Sequence, residues 1–180
     1  MFMEERLNEI LNSDSKKFIT IGRFSPEKGH KRLIKAFNRL YEEEKNIYLI
    51  IIGGNGKIYN ETVEFVEGTQ AKENIITIKS ISNPYTILEK SDYFVFSSYY
   101  EGFGLVIAEA DILNKPVIST DVVGPRTFIL ENKGTLVTND EDGLYNGMKR
   151  LLNNEIVPMN VNYKEYNENA IQEFYKILEK

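Results

Sequence analysis

Cysteine is absent from this 180-residue sequence, and histidine occurs once, at position 30. The first absence excludes disulfides and thiolate metal sites and leaves the redox compartment unread. The second excludes a multi-histidine metal centre. No apolar run approaches the ~20 residues that a membrane-spanning helix needs. The opening MFMEERLNEILNSDSKK is too acidic and too polar for a secretory signal, so a cytoplasmic chain is the expectation. Clustered positive charge is also missing: 22 Lys and Arg stand scattered against 27 Asp and Glu, for a net charge of -5. Duplex binding needs a coherent basic face, so nucleic acid is not an expected partner. A local phosphate site needs only one or two cations and survives this test. What is present is an ordinary globular composition, 42% apolar and 27% charged, at a length that suits one domain with a sizeable core.

From residue 17 two textures alternate. Short apolar, β-branched runs predict six strands, at 17–22, 47–54, 74–80, 92–98, 116–121 and 134–138. Between them lie segments of helical spacing. The clearest is KGHKRLIKAFNRLYEEE, with Leu33, Ile34, Phe37, Leu40 and Tyr41 on one face. EDGLYNGMKRLLNN places Leu144, Met148, Leu151 and Leu152 in the same way. Strands alternating with helices mean βαβ units. The expected fold class is therefore α/β: a single Rossmann-like domain with a six-stranded parallel sheet and helices on both faces. The expected boundaries are an N-terminal helix and linker at 1–16, the Rossmann-like unit at 17–152, and a C-terminal loop and helix packing on it at 153–180. In such sheets ligands sit at the carboxyl ends of the strands, which gathers Gly22, Gly53, Ser80, Ser98 and Asp121 around one cleft.

Residues 97–120, SSYYEGFGLVIAEADILNKPVIST, carry the chemistry. A helix is expected to begin near Phe103, so the amides of Phe103, Gly104 and Leu105 would point outward with the positive end of the helix dipole behind them. That is an anion site, and glycine lets a phosphate approach the backbone. Glu101 and Glu109 flank it. A carboxylate repels phosphate but accepts hydroxyls well, so the matching ligand has a diphosphate in the middle and hydroxyl-bearing rings at both ends, as in a nucleotide sugar. The alternative is plain helix-terminal charge for Glu101 and a solvated position for Glu109. Arg23 and Lys28, in the loop after the first strand, add two cations at the same sheet edge, enough to neutralise a diphosphate.

The segments GRFSPEKGHKRLIKAF, IIGGNG, SSYYEGFGLVIAEA, KPVIST and GPR follow one another in this order. Over residues 17 to 152 they resemble the carboxyl-terminal domain of GT-B retaining glycosyltransferases of the group 1 type. The wording looks most like that of bacterial enzymes decorating cell-envelope polymers. The resemblance implies one half of a GT-B fold, binding a nucleotide diphosphate sugar whose hexose goes to a cell-envelope glycan, with no required cofactor or metal. A UDP-sugar is the guess by family frequency. Arg23 and Lys28 would hold the donor diphosphate and stabilise the leaving nucleoside diphosphate. Glu101 would contact hydroxyls of the donor sugar, and the amides of Phe103, Gly104 and Leu105 the phosphate. Glu109 would bind the ribose diol, and backbone around Ile81 and Ser82 would face the nucleobase.

The amino-terminal acceptor domain of such enzymes has no counterpart in these strands. The resemblance therefore implies a donor half that is inactive alone, a monomer or weak dimer, with membrane association only through the missing domain. GGNG lacks the proline often found in that loop, and Thr127 stands where a glutamate is common. Two other readings stand beside this one: a non-catalytic nucleotide-binding module, and half of a sugar-nucleotide epimerase. The E-x7-E spacing favours a transferase over the epimerase. Asp140 and Asp142 imitate a D-x-D metal motif but stand where acidic residues cap a helix. His30 is expected at the surface or just behind the site, and Tyr99 and Tyr100 at a packing rim.

Overall fold

Six apolar runs become six parallel strands in the computed structural model, which describes residues 2–54 and 56–178. In chain order the strands are β1 (Lys16–Ile21), β2 (Ile47–Ile52), β3 (Ile75–Ile78), β4 (Tyr93–Phe96), β5 (Val117–Thr120) and β6 (Thr135–Val137). The helices are α1 (Phe2–Leu11), α2 (His30–Glu43), α3 (Tyr59–Glu67), α4 (Tyr85–Lys90), α5 (Leu105–Ile112), α6 (Val123–Glu131), α7 (Glu141–Leu152) and α8 (Tyr163–Leu178). β1 keeps its expected length but starts one residue earlier, at Lys16; the other strands are shorter than their apolar runs, whose last residues turn into the loops above the sheet.

β2 shows why the runs are continuous. Ile47, Leu49 and Ile51 join one hydrophobic layer, Ile50 and Ile52 the other, and all are buried. A strand covered on both faces has no solvent side on which to alternate. The first layer lies under α2, α3 and α7, the second under α1, α4, α5 and α6. Leu33, Ile34, Phe37 and Leu40 of α2 are at most 1% exposed, and each such side chain contributes about 1.5–3 kcal/mol of burial.

The sheet order is β3-β2-β1-β4-β5-β6. β1 pairs with β2 along its whole length, and with β4 through Phe18 opposite Tyr93 and Ile19 opposite Phe94. The order reverses between β1 and β4. The helix following β1 lies on one face and the helix following β4 on the other, so their heads diverge and leave a crevice at the carboxyl ends of those strands. At the other end of the chain, Tyr163 and Tyr166 of α8 pack on Phe128 of α6. No helix among the described residues is long and apolar enough to cross a membrane.

Candidate functional site

The loop after β1 starts at Gly22, passes a 3-10 turn at Pro26–Lys28 and enters α2 at Gly29, whose φ is 67°. The loop after β4 enters α5 at Gly104, whose φ is 82°. Both are left-handed conformations that glycine adopts without cost. Hydrogen bonds join the two loops. Ser97 Oγ donates to Lys28 O at 2.8 Å, and the Tyr99 amide to Glu27 O at 2.8 Å. Arg32, 7% exposed, donates to Ser97 O at 2.7 Å, Ser98 O at 3.0 Å and Asn139 O at 2.7 Å. Thr120 Oγ1 also donates to Ser98 O, at 2.6 Å. The Ser97 and Ser98 carbonyls at the end of β4 are thus satisfied by Arg32 of α2 and Thr120 of β5.

These bonds bring together Lys28 and Glu101, 73 residues apart in sequence: Lys28 Nζ donates to Glu101 Oε2. The Lys28 stem lies along Gly22, where an added Cβ would meet Lys28 Cδ at 3.4 Å. Glu101 also accepts from the Gly102 amide at 3.0 Å. Partial burial alone would raise the Glu101 carboxyl, but Lys28 and the Gly102 amide outweigh it and hold the group below its ordinary 4.5. Gly124 braces the same loop from behind, since a Cβ there would fall 2.3 Å from both the Glu101 and Gly102 carbonyl oxygens.

The cleft has a volume of about 410 Å³ and takes in Arg23, Lys28, Glu101, Gly104, Leu105 and Glu109. Clefts of about 380 and 400 Å³ also lie beside β3 and below β1, but neither lies at the carboxyl ends of β1 and β4. Arg23 is 72% exposed and pairs with Glu27 at 3.7 Å. One expectation is corrected. α5 begins at Leu105, not near Phe103, because Gly104 takes a left-handed turn that ends the loop first. The first intrahelical bond is Ile107 N to Gly104 O at 2.9 Å. The outward amides at the helix head are those of Leu105 and Val106, with Phe103 two residues outside.

Ile81 and Ser82 are exposed in the loop between β3 and α4. Tyr85 heads α4, and the Glu109 carboxylate raises the titration of its hydroxyl. That contact joins the Ile81–Ser82 side of the cleft to the Glu109 side; Tyr85 was missed in the sequence, where it is one aromatic after a proline. Arg32 was likewise missed, being one more cation on a helix in the sequence. His30 is not at the surface: it is 2% exposed and packs edge-on against Phe24, ring centroids 5.1 Å apart. Asp140 caps α7, accepting from the Gly143 amide at 2.7 Å, while Asp142 pairs with Arg39 at 2.7 Å. Among the described residues no group of three or more His, Cys, Asp or Glu could hold a metal ion.

A six-stranded parallel sheet whose order reverses between β1 and β4, with helices on both faces, defines the class as doubly wound, Rossmann-like α/β proteins. The sequence profile of the family described as Glycosyl transferases group 1 matches residues 2–170, and the chain belongs to that family. It is 40% identical over 117 residues to an uncharacterized glycosyltransferase of Methanocaldococcus jannaschii, covering 64% of this chain and 29% of the relative. It is 28% identical over 156 residues to the capsular polysaccharide biosynthesis glycosyltransferase CapM of Staphylococcus aureus, covering 85% of this chain and 40% of CapM. Among solved structures it resembles a mutant of S. aureus TarM in complex with fondaparinux, alpha-GlcNAc-glycerol and UDP. The TM-score is 0.73 and the identity 28%, covering 92% of this chain and 34% of TarM. The chain thus spans less than half the length of these relatives.

Proposed function

We propose that this chain is the donor-binding half of a retaining glycosyltransferase that moves a hexose from a nucleoside diphosphate sugar to a cell-envelope glycan. The observation that carries the reading is the ion pair of Lys28 with Glu101, set between the outward amides of Leu105 and Val106 and the Arg23 loop. A diphosphate entering there takes Lys28 and the helix head, and Glu101 is released to accept hydroxyls of the donor sugar. Arg23 closes over the phosphates from the exposed side. As the glycosidic bond to the donor breaks, negative charge grows on the departing phosphate oxygens, where two cations and the amides already stand. Glu109, facing Tyr85, accepts the ribose diol, and backbone at Ile81 and Ser82 faces the base. Polymer acceptors and a uridine donor are supported by the capsule enzyme and by TarM bound to UDP.

The donor unit is assigned to residues 17–152, preceded by a helix and linker and followed by a C-terminal loop and helix. The acceptor-holding domain is assigned outside this chain, so the chain alone transfers no sugar efficiently, and any membrane contact comes through that domain. No metal or further cofactor is needed in this scheme. The test is thermal melting with UDP, GDP, ADP and CDP, beside Glu109→Ala and Arg23→Ala. A ligand at ~100 times its dissociation constant adds ~2.7 kcal/mol to stability. One nucleotide raising Tm in the wild type and in neither variant supports the reading; nucleotide shifts equal in all three proteins refute the assignment of these residues.

A further inference from the structure

A second pocket of about 250 Å³ lies on the far side of the same loops, lined by Gly29, His30, Lys31, Ile58, Glu61 and Tyr99. Pockets for drug-sized ligands run to roughly 300–1,000 Å³, so this one suits a single small ring. It shares both bounding loops with the donor cleft. Lys28 faces the cleft and Gly29 and His30 the pocket; Glu101 faces the cleft and Tyr99 the pocket.

Its polar groups are unusual. His30 is 2% exposed, yet its Nδ1 finds no hydrogen-bond partner among the described residues. Such a nitrogen carries the cost of leaving water with nothing in exchange. Burial, aided by the nearby Lys28, drives the His30 titration down to about 4, so at neutral pH the ring offers one donor and one acceptor. Lys31 and Glu61 are paired at 3.3 Å and cancel in charge. The Arg32 guanidinium lies 3.9 Å from the centroid of the Tyr99 ring, which gives the pocket an aromatic wall.

An anion would meet Glu61 and gain no net charge. A neutral ring bearing hydroxyls meets a carboxylate acceptor, an ammonium donor, the edge of the imidazole and an apolar aromatic wall. We propose that the pocket formed by His30, Lys31, Glu61 and Tyr99 is a subsite for a neutral sugar or polyol ring of the acceptor, held beside the donor cleft by the loops the two share. Its acceptor role rests on the glycosyl-transfer reading above.

The single histidine of the chain makes the test direct, because one imidazole carbon–proton signal belongs to His30 alone. Glucose, galactose, N-acetylglucosamine, ribitol and inorganic phosphate are titrated to tens of millimolar against that signal, and UDP binding is read by melting on the same samples. The expected result is a saturable shift with at least one neutral compound and none with phosphate. Exposed-residue variants Tyr99→Ala and Glu61→Gln should each weaken that affinity roughly tenfold, the worth of one charge-assisted hydrogen bond or an aromatic contact. Saturation by phosphate alone, or no shift from any sugar while UDP still binds, overturns the subsite and leaves the donor reading standing. Sugar binding without any nucleotide binding keeps the subsite and removes the reading on which its acceptor role depends.

Discussion

Lys28→Met separates the charge of Lys28 from its packing. Methionine keeps an apolar stem against Gly22 and removes the ammonium that Glu101 accepts from. A hydrogen bond to a charged group contributes about 1.5–3 kcal/mol when buried. Here the two side chains keep 17% and 23% of their exposure, so water compensates in part and about 1–2 kcal/mol is expected. For a domain of this size that lowers Tm by about 2–8 °C. The pH dependence gives the sharper test. The folded Glu101 titrates below 4.5, so its pairing stabilises the fold above that value and is lost as pH falls through the folded titration point. In the variant Glu101 has lost its strongest partner, and that contribution largely disappears. The Tm gap between wild type and Lys28→Met should be full at neutral pH and shrink in acid, measured by melting across a pH series. A gap that stays constant into acid would refute the claim that the ion pair is what the lysine contributes to the fold. The same variant should weaken nucleoside diphosphate binding by roughly 10- to 100-fold, the equivalent of ~1.5–3 kcal/mol, read by titration calorimetry.

Gly104→Ala forces a side chain into φ 82° and sets its Cβ 3.2 Å from Ile107 Cδ1. It should cost about 1–2 kcal/mol of stability and weaken nucleotide binding, seen by melting with and without ligand. Asp111, 4% exposed, accepts from the Asn160 and Val161 amides at 2.9 and 3.0 Å and from the Tyr163 hydroxyl at 3.0 Å. Asp111→Ala should lower stability by about 2–4 kcal/mol and open residues 153–162 to limited proteolysis before the sheet unfolds. Asp140→Ala removes the cap of α7 and should cost about 1 kcal/mol; magnesium should leave the Tm of the wild type unchanged, whereas a metal-dependent gain lost in this variant would restore the D-x-D reading.

The strands were legible because each is covered on both faces, and a continuous run such as Ile47–Ile52 has few other uses. The faces of α2 and α7 were legible for the complementary reason: charges on one side of the helix expose the period. α5 hid its terminus. Its first residues are apolar in every direction, so only Gly104, by its left-handed turn, sets where the helix starts, and a glycine-rich stretch does not say which glycine turns. The site residues were legible as types at a sheet edge. Which of them touch was not, since the Lys28–Glu101 contact depends on β1 lying beside β4, a fact of strand order that no local pattern carries. Arg32 and Asp111 were opaque for the same reason: their partners lie in Ser97, Ser98 and Asn139, and in Asn160 to Tyr163, far along the chain. Of the two places expected for His30, the surface is excluded because the tight Gly29 turn folds the first residue of α2 inward against Phe24, just behind Lys28.

The central claim is that the crevice between β1 and β4 binds a nucleoside diphosphate at the head of α5. Amide chemical shifts recorded while UDP is added test it most directly. Saturable changes are expected to concentrate at Gly22, Arg23, Gly104, Leu105, Val106 and Glu109, with smaller ones at Ile81 and Ser82. Saturable changes confined to other clefts, such as the one beside β3, with the head of α5 unmoved, would contradict it.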